Sequence, residues 1–229
     1  MKDIKIPYLP YIGFQESKDI AEKFLKAHGY LIEKTNNFLD LPVKVEILAA
    51  KSGHNIELIP DLQKEFGIKG MAYNNTSKKQ FEIFIDSNHY FIETDSCPFT
   101  IAEELAHIIL HSKIFDQIES IEDRIALETN STESNHQVIE KQAKSVASEL
   151  LLPTCLFLPY MDDWFIKNLS QIVDDRPMHE NDLLDFIARK IWPDLGLSQY
   201  IIKRALIRNF NYTKIISDLV VKHKIKYLS

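Results

Sequence analysis

Cysteine is almost absent: Cys97 and Cys155 are the only two in 229 residues, and no C-x-x-C spacing joins them. A disulfide framework and a thiolate zinc knuckle are therefore not expected, and the chain suits a reducing cytosol. No stretch approaches a membrane span, and the opening "MKDIKIPYLPYIGF" lacks a continuous apolar segment, so neither membrane insertion nor secretion is expected. Internal repeats and low-complexity tracts are also missing. What remains, 45% hydrophobic and 26% charged residues, describes a soluble globular protein with a real core.

Charge is plentiful but uneven. The net charge is −6, yet from Gln199 onward seven basic residues (Lys203, Arg204, Arg208, Lys214, Lys222, Lys224, Lys226) face one acid, Asp218. That segment carries +6 on an otherwise −12 body, which suits either a polyanion or acidic partner, or a solvated helix face.

Hydrophobic spacing predicts a helix over 18–28, with Ile20, Phe24 and Ala27 on its apolar face and Gly29 as its stop. "LPVKVEILAAKSG" alternates like a strand, but Pro42 near its start and Gly53 past its end favour a helix. The period then changes to two. Residues 55–59, 68–73 and 81–86 read as strands, the last two paired as a hairpin through "NNTSKK". Helices follow over 99–111 and 137–152, the second stopped by Pro153, with mixed loop and short helix between them. Two regions result, 1–153 and a mostly helical 154–229 with breaks at "DDRP" and "WPDLG".

The helix "FTIAEELAHIILH" holds the chemistry. Residues four apart share a helix face, so Glu103, His107 and His111 form one stripe, with Glu104 a step of about 100° away. A zinc-protease helix has the form His-Glu-x-x-His: two ligands one turn apart, with a carboxylate placed to act as general base. Here the letters are Glu103-Glu104-Leu105-Ala106-His107, so Glu103 holds the first ligand position, His107 the second and Glu104 the base position. A rival reading makes "TIAE" a capping box, with Thr100 at the N-cap and Glu103 reaching back to it. In "VIEKQAKSVASELLLP", Glu140 lines up with Ala143 and Ala147. An acid flanked by small residues describes a helix packing closely on a neighbour and pointing a carboxylate at it. Glu140 is thus a third ligand candidate.

These two blocks resemble the ImmA/IrrE family of metallopeptidases. Phe99, Thr100, Ala102, Glu104, Leu105, His107 and His111 match the first motif, and Glu140, Ala143, Ala147, Leu150, Leu151 and Pro153 the second. The similarity extends over about residues 18–210. The resemblance implies an α+β, zincin-like minimal metallopeptidase fold, with a small twisted β-sheet packed on helices that include the active-site helix. It also implies a cytoplasmic enzyme that cleaves helix-turn-helix repressors of phage, mobile-element or stress-response genes. His107 and Glu140 then become metal ligands and Glu104 the catalytic base. Two positions depart from the family pattern: Glu103 replaces its first His, and Lys144 its usual Asn. His111 matches a position that is not a ligand, so a structural role is expected for it.

A carboxylate at 103 can still bind a divalent ion, but its harder oxygen moves preference from zinc toward manganese. It also lowers the formal charge of a zinc site from +1 to zero, so the water there is less acidified. Either a slow peptidase or a degenerate one that binds a regulator without cutting it follows. Direct DNA binding through "GLSQYIIKRALIRN" is not expected, because Ile201, Ile202, Ala205 and Leu206 read as packing positions.

Overall fold

Three segments of period-two patterning form one small mixed sheet: β1 (Asn55–Ile59), β2 (Gly70–Asn75) and β3 (Gln80–Asp86), in the order β1-β3-β2. These elements come from a computed structural model that describes residues 4–30, 41–130, 133–172 and 180–209. β1 runs parallel to β3 with Ile56 opposite Ile83, and β2 is antiparallel to it with Ala72 opposite Ile83. The expected β2–β3 hairpin is present, with its first strand shifted toward the turn. Lys79, with φ of +54°, takes the left-handed position of that turn.

Helices cover the sheet and continue beyond it. They are α1 (Phe14–Ala27), α2 (Val45–Lys51), α3 (Leu62–Phe66), α4 (Ser87–Ile92), α5 (Cys97–Phe115), α6 (Ile121–Asn130) and α7 (Glu133–Leu151). The short α3 and α4 have no counterpart in the sequence reading. Segment 44–51 is helical, as its flanking Pro and Gly indicate.

α1 differs from expectation in which face it buries. Ser17, Ala21 and Leu25 are buried, whereas Ile20, Phe24 and Ala27 are not. The reason is close helix packing. α1 lies on α7, and Ser145 Oγ donates to Ser17 Oγ at 2.9 Å, so small residues occupy the contact. Past the helix end, Gly29 at φ +80° lets Tyr30 N–H return to the Leu25 carbonyl at 3.0 Å.

The described residues divide into two compact units, one of residues 4–30 and 43–153, the other of 154–209 together with Leu41 and Pro42. The second contains α8 (Thr154–Ile172), α9 (Glu180–Leu195) and α10 (Gln199–Asn209). α9 runs through Pro193 rather than breaking at it, and stops before Gly196, which has φ +60°. α10 buries Ile201, Ile202, Ala205 and Leu206. The expected break at "DDRP" and most of the basic tail, Lys214 to Lys226, lie outside the described residues. No helix among the described residues is long and apolar enough to cross a membrane.

Candidate metal centre

α5 and α7 form the most extensive helix pair in the first unit. Ala106 of α5 and Ala143 and Ala147 of α7 are fully buried, and such small side chains let two helix backbones approach closely. Across this contact Glu103 and His107 face Glu140. One ligand-type atom from each lies within 4.8 Å of the other two. His107 Nε2 is 3.5 Å from Glu140 Oε1.

The capping-box reading fails on geometry. α5 begins at Cys97, with Ser96 as N-cap and Pro98 in its first turn, so Thr100 and Glu103 both lie inside the helix. Thr100 Oγ1 instead meets His89 Nε2 at 2.8 Å. Glu103 is therefore directed at α7, not back at its own N-terminus.

Three atoms of this cluster lack any hydrogen-bond partner although they are shielded from solvent: Glu103 Oε1, His107 Nε2 and Glu140 Oε1. Leaving such atoms unsatisfied costs about 1–3 kcal/mol each, so their convergence calls for something that binds them all. A hydrogen-bond chain decides what His107 presents. Pro10 carbonyl oxygen can only accept, and Gln142 Nε2 donates to it at 2.6 Å. Gln142 Oε1 must then accept from His111 Nε2–H, 3.0 Å away. Burial lowers the pKa of His111, so its ring is neutral and its Nδ1 is an acceptor. That atom lies 3.3 Å from His107 Nδ1, which must be the donor. The lone pair of His107 is left on Nε2, aimed at the carboxylates. This is how outer hydrogen bonds commonly orient a metal-binding imidazole.

Electrostatics agree with a cation-seeking site. Burial pushes the Glu103 carboxyl up to about 8, helped by the charge of Glu104. Complete burial brings His107 down to about 4, so the ring is neutral at physiological pH. Burial also opposes ionisation of Glu140, but its surroundings, with the Arg124 and Lys144 cations among them, outweigh it and hold the carboxyl below its usual range. Lys144 Nζ sits 3.5 Å from Glu103 Oε1 and 3.4 Å from Glu140 Oε2. Arg124 Nη2 is 3.6 Å from Glu140 Oε1, and its guanidinium lies over the Phe115 ring.

Glu104 occupies the side of α5 that meets the sheet. It is buried, and its Oε2 accepts the Ala72 N–H of β2 at 2.7 Å. The approach of strand to helix depends on Gly70. A Cβ there would lie 2.6 Å from Thr100 Cγ2 and 3.3 Å from Glu104 Cγ.

Two buried carboxylates and a neutral imidazole with its lone pair turned inward form a donor set suited to a divalent ion. Residues 52–164 match the Peptidase_M78 family model, described as the IrrE N-terminal-like domain. That segment is therefore similar to the IrrE N-terminal-like domain, in line with the ImmA/IrrE resemblance of its two motifs. No curated protein and no solved structure matches the chain. The ImmA/IrrE match implies a divalent metal, and the orphaned atoms of Glu103, His107 and Glu140 fit one.

Sequence reasoning overlooked four neighbours of this candidate metal centre as parts of it. Gln142 acts only through its contacts with His111 and Pro10, and Arg124 came from a stretch with no motif. Lys144 stood out as a departure from the family, without its contact to Glu103. His136 had a readable signal, since it lies one helical turn before Glu140, and its Nε2 is 3.9 Å from Glu140 Oε1.

Proposed function

We propose that this chain is a metal-dependent endopeptidase of the ImmA/IrrE type whose substrate is a protein partner, a helix-turn-helix transcriptional repressor of a phage, mobile element or stress response. The convergence of three solvent-shielded ligand atoms without hydrogen-bond partners carries the metal reading, and the family resemblance supports the substrate class. Glu103, His107 and Glu140 hold the ion, zinc first and manganese as the alternative. A divalent ion held there supplies Lewis acidity toward a peptide carbonyl and a water. Glu104 is the general base: it takes the proton of the attacking water and delivers it to the leaving amine nitrogen. The Ala72 N–H fixes one of its oxygens and so orients the carboxylate. Arg124 adds a permanent cation beside Glu140, which favours negative charge developing on the carbonyl oxygen.

A second reading has an observation of its own. The Lys144 ammonium reaches both Glu103 and Glu140, so an internal cation partly does what a metal would do. On this reading the chain is a pseudopeptidase that binds its regulator uncut.

Metal analysis of protein purified without chelators, followed by incubation with a cognate repressor, separates the two. The peptidase reading expects about one equivalent of divalent metal and specific cleavage. Glu104→Gln should keep the metal and lose about 100- to 10,000-fold in rate. Repressor that binds but stays intact with the metal-loaded chain supports the pseudopeptidase. Loss of metal in Glu104→Gln would sink the assignment of Glu104 as base.

A further inference from the structure

The imidazole missing at position 103 has a replacement close by. Glu140 Oε1 is the hub of the centre, and two ring nitrogens face it, His107 Nε2 at 3.5 Å and His136 Nε2 at 3.9 Å. All three atoms are shielded from solvent and none has a hydrogen-bond partner. A lone unpartnered histidine nitrogen is unremarkable at a surface, but the His136 side chain is two-thirds buried and its Nε2 is fully enclosed.

Two of the distances can be compared with a coordination sphere. Nitrogen and oxygen ligands at ~2.0–2.2 Å around a tetrahedral ion stand roughly 3.3–3.6 Å from one another. The contact of His107 with Glu140 already has that spacing. His136 Nε2, at 3.9 Å from the same oxygen, lies just beyond it and outside the tight cluster of Glu103, His107 and Glu140, so its side chain must move inward to coordinate. Glu103, by contrast, has an ammonium beside its site-facing oxygen, though no hydrogen bond to it. Its Oε1 meets Lys144 Nζ, which also takes the other oxygen of Glu140, Oε2. Glu140 is thereby divided, with Oε2 toward the Lys144 ammonium and Oε1 toward the two imidazoles and the Arg124 guanidinium, whose Nη2 is 3.6 Å away.

We propose that His136 is a metal ligand, supplying the second imidazole that Glu103 cannot. The proposal rests on the metal-centre reading above and deepens it. With His107, His136 and Glu140 as the principal donors the site has two nitrogens and one carboxylate, a formal +1 with a divalent ion, and Glu103 is the weaker donor, shared with Lys144. Such a set binds zinc in preference to harder ions.

The test uses the full chain and zinc alone. X-ray absorption of the zinc-loaded protein counts imidazoles directly, with two expected, and a count of one overturns the proposal. Zinc titration of His136→Ala should show affinity reduced by more than about tenfold, the lower end of what even outer-shell partners cost. His136 is partly exposed, and an unchanged melting curve in chelator shows that the variant folds. Wild-type affinity in His136→Ala, with binding lost in His107→Ala, overturns this proposal and leaves the metal-centre reading standing. A wild-type chain that takes up no zinc overturns both.

Discussion

Two clusters, each a buried histidine with carboxylate partners, flank the first half of α5, and they differ in how their polar atoms are answered. At His89 every polar atom is answered: Nδ1 meets Glu93 Oε2 at 3.1 Å, Nε2 meets Thr100 Oγ1 at 2.8 Å, and Glu93 in turn accepts from Lys69 at 2.7 Å. Asp86 accepts the backbone N–H groups of His89 and Gln63. At His107 the ring is equally buried, but its Nε2 and the nearest oxygens of Glu103 and Glu140 face one another without hydrogen bonds. Both pair a buried imidazole with carboxylates and a lysine, although Glu93 and Lys69 are far more exposed than Glu103 and Glu140. A saturated cluster ties β3, α4 and α5 together, whereas an unsaturated one keeps its donors for a ligand. Satisfaction, not composition, separates scaffold from site.

The sharpest way to break that comparison is to remove each ring. His107→Ala should abolish the zinc-dependent rise in melting temperature, which for wild type at a hundredfold excess over Kd corresponds to about 2.7 kcal/mol. His89→Ala should retain that zinc response while losing about 1–3 kcal/mol of intrinsic stability, because it removes a buried ring and leaves Thr100 Oγ1 without it. Thermal melts of both variants, with zinc and with chelator, give the answer. If His89→Ala lost zinc binding, the two clusters would not be separable.

A smaller effect is expected at the departure from the family. Glu103→His restores His-Glu-x-x-His, adds a softer donor and removes a carboxyl that burial disfavours as an anion. Zinc affinity should rise about tenfold, or about 1.4 kcal/mol. Calorimetric titration measures it, and unchanged or weaker binding would mean that position 103 does not face the ion.

The smallest effect is on pH dependence of the metal-free chain. Glu103 in the folded state keeps a proton up to about 8, whereas an ordinary carboxyl has lost it above about 4.5. The folded state therefore binds more protons than the unfolded one across that window, and stability falls as pH rises. His107, brought down to about 4, works in the opposite direction below its ordinary value of 6.5. Between pH 6.5 and 8 only the Glu103 effect of this pair acts, so the melting temperature in chelator should decline. Glu103→Gln should remove the decline. A slope that survives the substitution would place its origin elsewhere.

Much of this was legible in the chain itself. The spacing of Glu103, Glu104 and His107, the alanines in register with Glu140, and the alternation in 81–86 are local patterns set by helix and strand periods. They suffice to recover the helix pair, the hairpin and the family. Local reasoning failed where two local signals competed. Thr100 and Glu103 have capping-box spacing, but Pro98 and Ser96 start the helix a turn earlier. Ile20 and Phe24 look like a core face, but close packing on α7 selected Ser17 and Ala21 instead.

By itself, then, the sequence determined which residue types stand one helical turn apart and which helix bears them, because those relations depend on backbone period alone. Only the tertiary structure decided which lone pairs remain unanswered. The carbonyl of Pro10 meets Gln142 across 132 residues, and through His111 it sets which nitrogen of His107 carries the proton. Lys144 and His136 reach Glu140 by their positions on one helix, but whether they saturate it or leave it open depends on what α5 and Arg124 bring to the same oxygens. Hydrogen bonds are exclusive and directional, so their accounting closes only when every neighbour is in place.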